Sequence, residues 1–578
     1  MYWEFPPLIH RTILPALIAA QLIAPCFAAG ERSAPATLLL THGRIRTTTG
    51  WVEALAVNER GIIVALGSSA EFERTISGTT RRVDLRGLTV LPGFHDLHVH
   101  PIFAGLQAQR CVIPQGADLK SLQDHVHECA VKTRPGDWIT GGQWDAPALG
   151  RAPEHSQLDG VSLGHPVLLG DTSEHSAWAN SVALKIAGIT RQTRNPPSGI
   201  IERDAAGEPT GVLREDAVLL VRRYVPAPTK EEVESALSAS VKEMLSYGIS
   251  SFTEAAAGYS AGLEKEVGAY AALADSGVLK QRIHLCLSWY PGDATAERYI
   301  ATANAYSRAR LAVDCVKIFL DGVPTDSHTA AMLEPYHGRV AGRADAASRT
   351  GMLLVPPAVL NQAVARFDAL GLAVKFHAAG DAAVRAGLDA IEAARRANGF
   401  SGILHDVGHC TFVARDDIPR ARAIGATFEV SPYLWSPSPI NDSITEAVGP
   451  VLIQRVWPVR EMLEARALVV AGSDWSVVPS VNPWIAVEAL VTRERPGGSA
   501  DALGKGEAIT LDQAIRLFTV NAARHRHAEN QLGDVSVGKL ADLIVLDRDP
   551  FAIPVRELHT VRVMKTFIGG ELVYARAE

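Results

Sequence analysis

Val90-Leu91-Pro92-Gly93-Phe94-His95-Asp96-Leu97-His98-Val99-His100-Pro101 is the stretch that decides how the rest of the chain is read. An apolar run leads into two histidines at i and i+2. On a β-strand those positions share a face, so His98 and His100 offer two imidazoles to one cation from the end of a single strand. A lone His-x-His is weak evidence for a metal. Here it has company, because other strand-like segments end in Lys317, His377, His409 and Asp474.

Working outward, residues 92 to about 524 alternate strand and helix patterns. Segments at 250–254, 282–288, 314–320, 373–377, 404–409, 427–431 and 467–473 read as strands. Periodic segments at 260–276, 295–309, 382–397, 414–423 and 483–493 read as helices, and another at 510–521 is capped by Thr510. Serial β/α units over this length predict an α/β fold, a (β/α)8 barrel of TIM type. No glycine-rich phosphate fingerprint follows a strand, which argues against a dinucleotide fold. Short strands and turns at 37–91 and again at 525–578 predict one small β domain built from both chain ends. Residues 106–224 fit the alternation poorly. With Gly141-Gly142-Gln143-Trp144-Asp145 read as loop, they form a long insertion over the barrel mouth that shapes a substrate pocket, the alternative being a peripheral decoration.

The residue types at the strand ends point to hydrolytic metal chemistry. In Val316-Lys317-Ile318-Phe319-Leu320-Asp321-Gly322 a lysine sits inside a strand, where a bare ammonium is costly. It needs either a paired acid or a change of chemistry, such as carboxylation to an anion that bridges two divalent ions. Cys315 shares its face and is a weaker ligand candidate. In Leu404-His405-Asp406-Val407-Gly408-His409 both histidines have inward parity, and His409 is preferred because it lies at the strand end. Imidazole and carboxylate suit zinc, with manganese or iron as alternatives. Asp474 is placed to take a proton from water and pass it to a leaving group, as ligand, base or both. Tyr433, Trp435 and Trp475 near strand ends hint at an apolar or aromatic substrate, or else are core.

Composition narrows the class. The 578 residues are 47% apolar and 21% charged with net charge -7, which excludes a disordered chain and leaves no footprint for nucleic acid. Residues 1–29 read as a signal peptide: His10-Arg11, an apolar run, then Cys26-Phe27-Ala28-Ala29. The run is short for a membrane span and is broken by Pro15 and Pro25. The expected product is a periplasmic or secreted chain without a membrane span, the alternatives being an uncleaved anchor or a mistranslated leader. Cys111 and Cys129 can pair, though spacing alone does not establish it. Cys286, Cys315 and Cys410 lie in apolar runs and read as buried thiols.

With these residues in hand, the chain resembles the amidohydrolase superfamily, and within it the amidohydrolase-3 branch of YtcJ-like metal-dependent hydrolases that includes N-substituted formamide deformylase. The marks are Pro92 to His100, His175-Ser176-Ala177-Trp178-Ala179-Asn180, Gly211-Val212-Leu213-Arg214-Glu215, Val316 to Gly322, His377-Ala378-Ala379-Gly380-Asp381, Gly472-Ser473-Asp474 and Gly538-Lys539-Leu540-Ala541-Asp542-Leu543. The resemblance implies a distorted (β/α)8 TIM-like barrel with a small β-sandwich domain drawn from both termini. It implies His98, His100, His377 and His409 as metal ligands, Asp474 as ligand and proton carrier, and Lys317 as the carboxylated lysine of binuclear members. His175 and Gln143 are implied as substrate-side residues, His175 also with a catalytic role. Trp144, Asp321, Trp435 and Trp475 join the candidate substrate-binding set. One departure stands out. The family commonly carries Ile-Glu-His where this chain has Val407-Gly408-His409, and Asp406 is the candidate replacement for the missing glutamate. The expected activity is hydrolysis of a non-peptide C–N bond (amide, N-acyl or N-formyl) in a small apolar or aromatic molecule by a homo-oligomer holding one or two metals. An esterase or lactonase, or a binding protein with a decayed site, are the alternatives.

Overall fold

The computed structural model describes residues 35–75, 80–197, 199–325, 327–337, 349–435 and 437–577; the predicted signal peptide lies outside them. Eight strands form one parallel sheet: β1 (Phe94–Val99), β2 (Ile249–Ala257), β3 (Arg282–Ser288), β4 (Leu311–Phe319), β5 (Ala373–Ala378), β6 (His405–His409), β7 (Ala426–Val430) and β8 (Leu468–Ala471). Each pairs with the next in sequence order, the pattern of the predicted barrel. Strands β1, β2, β6 and β7 are buried along their whole length, as expected where both faces are covered.

No ladder joins β8 to β1. The chain just beyond β8 closes the gap instead: Asp474 N donates to His98 O at 2.7 Å and His100 N to Trp475 O at 2.9 Å. Gly472 permits the approach, because a Cβ there would meet His98 N at 2.4 Å. The seam of the barrel is therefore where His98, His100 and Asp474 converge.

Helices cover the outside. In Asp381–Asn398 the buried residues Val384, Gly387, Leu388 and Ile391 recur at helical spacing, and Gly399, at φ 75°, ends the helix. Thr510 caps its helix as predicted, accepting from Gln513 N, but that helix stops at Leu517 and a second runs over Val520–His525. The break has a cause in β1: Phe518 O accepts a hydrogen bond from His95 N at 2.8 Å.

Both chain ends build a two-sheet sandwich. One sheet holds Ile63–Gly67, Ala54–Asn58, Ala36–Thr41 and Arg81–Asp84; the other holds Glu571–Ala575, Val563–Ile568, Leu543–Leu546, Thr89–Pro92, Arg44–Thr47 and Gly50–Val52. Leu40, Leu55, Val90, Leu543 and Phe567 fill the space between them. A bidentate pair, Arg282 with Asp542 at 2.8 and 3.1 Å, ties this unit to β3.

The insertion carries a six-stranded sheet with its own core. The glycine-rich run read as loop is in fact a strand, Ile139–Trp144. Its glycines reflect close packing: Gly141 has φ 126°, and a Cβ there would meet Cys111 O at 2.3 Å. Among the described residues no helix is long and apolar enough to cross a membrane.

Cys111 pairs with Cys129. Cys286 and Cys315 are also paired, which corrects their reading as free thiols and removes Cys315 as a ligand. They lie directly opposite each other on β3 and β4, and that register is not legible from spacing. Cys410 is the one free cysteine among the described residues. Thiol titration of the denatured, unreduced chain lacking residues 1–29 is expected to detect Cys410 alone; reactive thiols at Cys286 and Cys315 would contradict the pairing.

Candidate metal centre

The cluster sits at the carboxyl ends of the barrel strands. His98, His409 and Asp474 each present a ligand atom within 4.8 Å of the others, and all three are buried. Asp474 is the hub. Its carboxylate lies 3.7 Å from His98 Nε2, 3.4 Å from His100 Nε2 and 3.6 Å from His409 Nδ1. Its φ of 60° is unusual for a residue with a side chain. Lys317, 1% exposed, brings Nζ to 3.4 Å from His98 Nε2. His377 stands beside His409 with ring centres 4.9 Å apart, and its Nε2 faces Gly322 O at 3.1 Å.

A second layer holds these groups. Glu429 on β7 is fully buried, and its Oε2 lies 2.6 Å from His98 Nδ1. Glu254 on β2 contacts His100 Nδ1 at 3.2 Å and accepts from the Tyr270 hydroxyl at 2.9 Å. Ser431 Oγ lies 2.9 Å from His409 Nδ1. Glu429 also fills the space beside Gly408, the position where the resemblance implies a glutamate. A Cβ at Gly408 would meet Glu429 Oε2 at 2.2 Å, so the carboxylate beside His409 enters from the neighbouring strand. Asp406, the residue expected to replace that glutamate, is instead paired with Lys375 Nζ at 2.5 Å.

Burial, with the Lys317 ammonium second, holds His98 well below the usual histidine range. Burial and the neighbouring imidazoles and ammonium groups do the same for His377 and His409. These rings are therefore neutral, with lone pairs free to ligate. Burial also works against the charged form of His100, but hydrogen bonds to Asp474 and Glu254 outweigh it and raise the group to about 9. For Lys317, burial and the Lys375 ammonium push the pKa down. No carboxylate lies within ion-pair distance of Lys317 among the described residues, whereas Lys375 has Asp406. The acid-paired alternative thus describes Lys375, not Lys317.

The expected substrate-side residues divide. His175 reaches the cluster: its ring centre lies 4.8 Å from that of His377, and Glu215 Oε2 holds its Nδ1 at 2.9 Å. Gln143 donates to Ser476 O at 2.5 Å, which joins the insertion to the loop after Asp474. Trp475 lies in that loop, largely buried. Asp321 is spent on structure, accepting from the backbone N–H groups of Ala331, Ala379 and Gly380. Trp144 belongs to the core of the insertion, with its indole N–H donating to Leu169 O and its ring edge-on to Trp178. Trp435 is fully buried, stacked on Trp457 with the Arg493 guanidinium over it. Packing covers both faces of Trp435, and Trp144 is almost fully buried within the insertion's core. His405 lies at the opposite end of β6, against Asp368 at 3.0 Å.

The donor set fits a divalent cation. It combines neutral imidazoles with carboxylates, the ligand chemistry of zinc and of manganese or iron. Glu429 stands behind His98 on its Nδ1 side and leaves Nε2 as the ring nitrogen that faces the cluster, as a ligating imidazole requires.

Comparison with known proteins agrees with this geometry. The model of the amidohydrolase family matches residues 81–574. The chain is 27% identical over 525 residues to the putative amidohydrolase YtcJ of Bacillus subtilis, covering 90% of this chain and 95% of that one. It is 26% identical over 565 residues to N-substituted formamide deformylase of Arthrobacter pascens, covering 93% and 98%. An uncharacterized metal-dependent hydrolase from Pyrococcus furiosus superposes with a TM-score of 0.66 at 24% identity, covering 89% of this chain and 99% of that one.

Proposed function

The chain belongs to the amidohydrolase family, and from that premise we propose that it hydrolyses a non-peptide C–N bond (amide, N-acyl or N-formyl) in a small molecule with an apolar portion. The observation that carries this reading is the convergence of His98, His409 and Asp474 at the barrel seam. We propose zinc as the metal, with manganese or iron as alternatives, held by His98, His409 and Asp474 with His100, His377 and Lys317 alongside. The bound ion supplies Lewis acidity, polarising a carbonyl oxygen and making a neighbouring water acidic.

The chain's own residues do the rest. Asp474 accepts the proton of the attacking water and delivers it to the leaving nitrogen. Glu429 and Glu254 orient the rings of His98 and His100 so that each Nε2 faces Asp474. His175, fixed by Glu215, presents its other ring nitrogen as a donor toward the substrate. Lys317 is proposed to react with carbon dioxide: its neutral nitrogen adds to the carbon and releases one proton, leaving a carbamate. Burial favours the neutral amine that this step needs. The chain is proposed to be exported, and the two disulfides support an oxidising compartment.

Matched amide and ester substrates test the bond. A panel of N-formyl and N-acetyl arylamines should turn over faster than the esters built on the same acyl and aryl groups. Faster ester turnover across the panel would favour an esterase on the same site.

A further inference from the structure

Beside the metal centre lies a cavity of about 180 Å³ between the insertion and the barrel. It has room for about six waters, less than a whole small-molecule site usually needs, so it suits one end of a ligand. Two half-buried guanidinium groups, Arg110 and Arg222, line it together with Glu174, Gln107, Phe103 and Tyr259. The cavity and the metal centre share a wall. The Tyr259 ring stacks on Phe319 at 6.0 Å; Phe319 in turn stacks on His377 at 5.6 Å and lies 4.9 Å from Lys317 Nζ. Glu174 directly precedes His175 in the chain.

The charge in this cavity is unbalanced. Among the described residues neither Arg110 nor Arg222 has a carboxylate at ion-pair distance; Arg222 lies over the Tyr259 ring at 5.7 Å, and the Tyr259 hydroxyl donates to Glu174 O at 3.4 Å. The nearby acids are committed elsewhere. Glu232 accepts from Thr229 N at 2.7 Å as a helix cap. Asp171 accepts from Ser173 Oγ at 2.5 Å and Ser176 N at 2.9 Å. Glu174 accepts from Gln107 at 3.2 Å, and burial, reinforced by Asp171, pushes it up to about 7, which weakens it as a counter-ion. Two planar forks partly out of water, with an apolar ring on one side, match a carboxylate carried on a hydrocarbon stem.

We propose that this cavity binds the carboxylate end of the substrate, so that the molecule cleaved at the metal centre is anionic at the end remote from the scissile bond. The inference rests on the hydrolase reading for its place in turnover, but its test is a binding measurement. Calorimetry on the metal-loaded protein compares 6-benzamidohexanoate with 6-benzamidohexanamide, which differ only in the terminal carboxylate. The carboxylate should bind about tenfold more tightly, the worth of one charge-assisted contact. That preference should vanish in Arg110→Met and in Arg222→Met, and return to some extent in Arg222→Lys. Equal binding, no binding of either compound, or a preference that survives both methionine variants would overturn the proposal. Turnover is scored separately: if neither compound is hydrolysed while the preference holds, the hydrolase reading loses support and the anion site stands.

Discussion

Asp474→Asn should lower kcat by on the order of 10²–10⁴-fold, the range for losing a positioned general acid–base group. The amide has the shape of the carboxylate and keeps the backbone bond from residue 474 to His98 O, so the barrel seam should stay closed. What it loses is the capacity to accept and return a proton. His98 and His409 remain, so bound metal should persist in the variant. Steady-state kinetics combined with metal analysis separates the two roles open to this residue. A drop in kcat with metal retained identifies a proton carrier. A parallel loss of metal identifies a ligand. Activity near the parent level would remove Asp474 from the chemistry altogether. The left-handed backbone at Asp474 fits a functional position, since such geometry is kept where the surroundings force it.

Glu429→Gln should weaken metal affinity about 10- to 100-fold, the usual cost of removing a carboxylate behind a ligating imidazole. The carboxylate sits 2.6 Å from His98 Nδ1 and 3.8 Å from Lys375 Nζ, so it both orients the ring and offsets a buried ammonium. Gly408→Ala should have a similar effect without touching the glutamate, because the added Cβ would stand 2.2 Å from Glu429 Oε2. That carboxylate is held by His98 and cannot swing into water from a fully buried position. Competition with a metal-binding dye measures both variants. Unchanged affinity in either one would show that His98 is oriented by something other than Glu429.

The two variants also mark how far the sequence could be read. The barrel was legible because strand and helix patterns alternate along residues 92–524, and the ends of several strands carried the ligand candidates with them. His98, His409 and Asp474 meet at the seam because the chain beyond β8 hydrogen-bonds to β1. Glu429 was not legible. Its strand is buried along its length, so alternation does not say which residues enter the lumen. The signal was indirect: a glycine where the family resemblance implies a glutamate, and a glutamate one strand away. Val407 registers with Phe428, which puts Gly408 and Glu429 side by side, but register across strands is a tertiary fact. The same limit hid the Cys286–Cys315 pair. Trp144 and Trp435 misled for another reason. A tryptophan near a strand end looks alike whether it lines a pocket or fills a core, and here both fill cores. The glycine-rich run at 139–144 read as loop because its need for close approach is set by neighbouring strands rather than by local sequence.

The most direct test of a metal-dependent hydrolase centred on the barrel seam is the metal content of the purified mature protein, beside that of a His98→Ala/His409→Ala double variant whose fold is checked by circular dichroism. The parent should hold at least one divalent ion per chain, lose amide hydrolysis on chelation and regain it with added zinc, while the folded double variant holds none. A parent that takes up no metal on reconstitution, or a double variant that keeps the parent's content, would contradict the account.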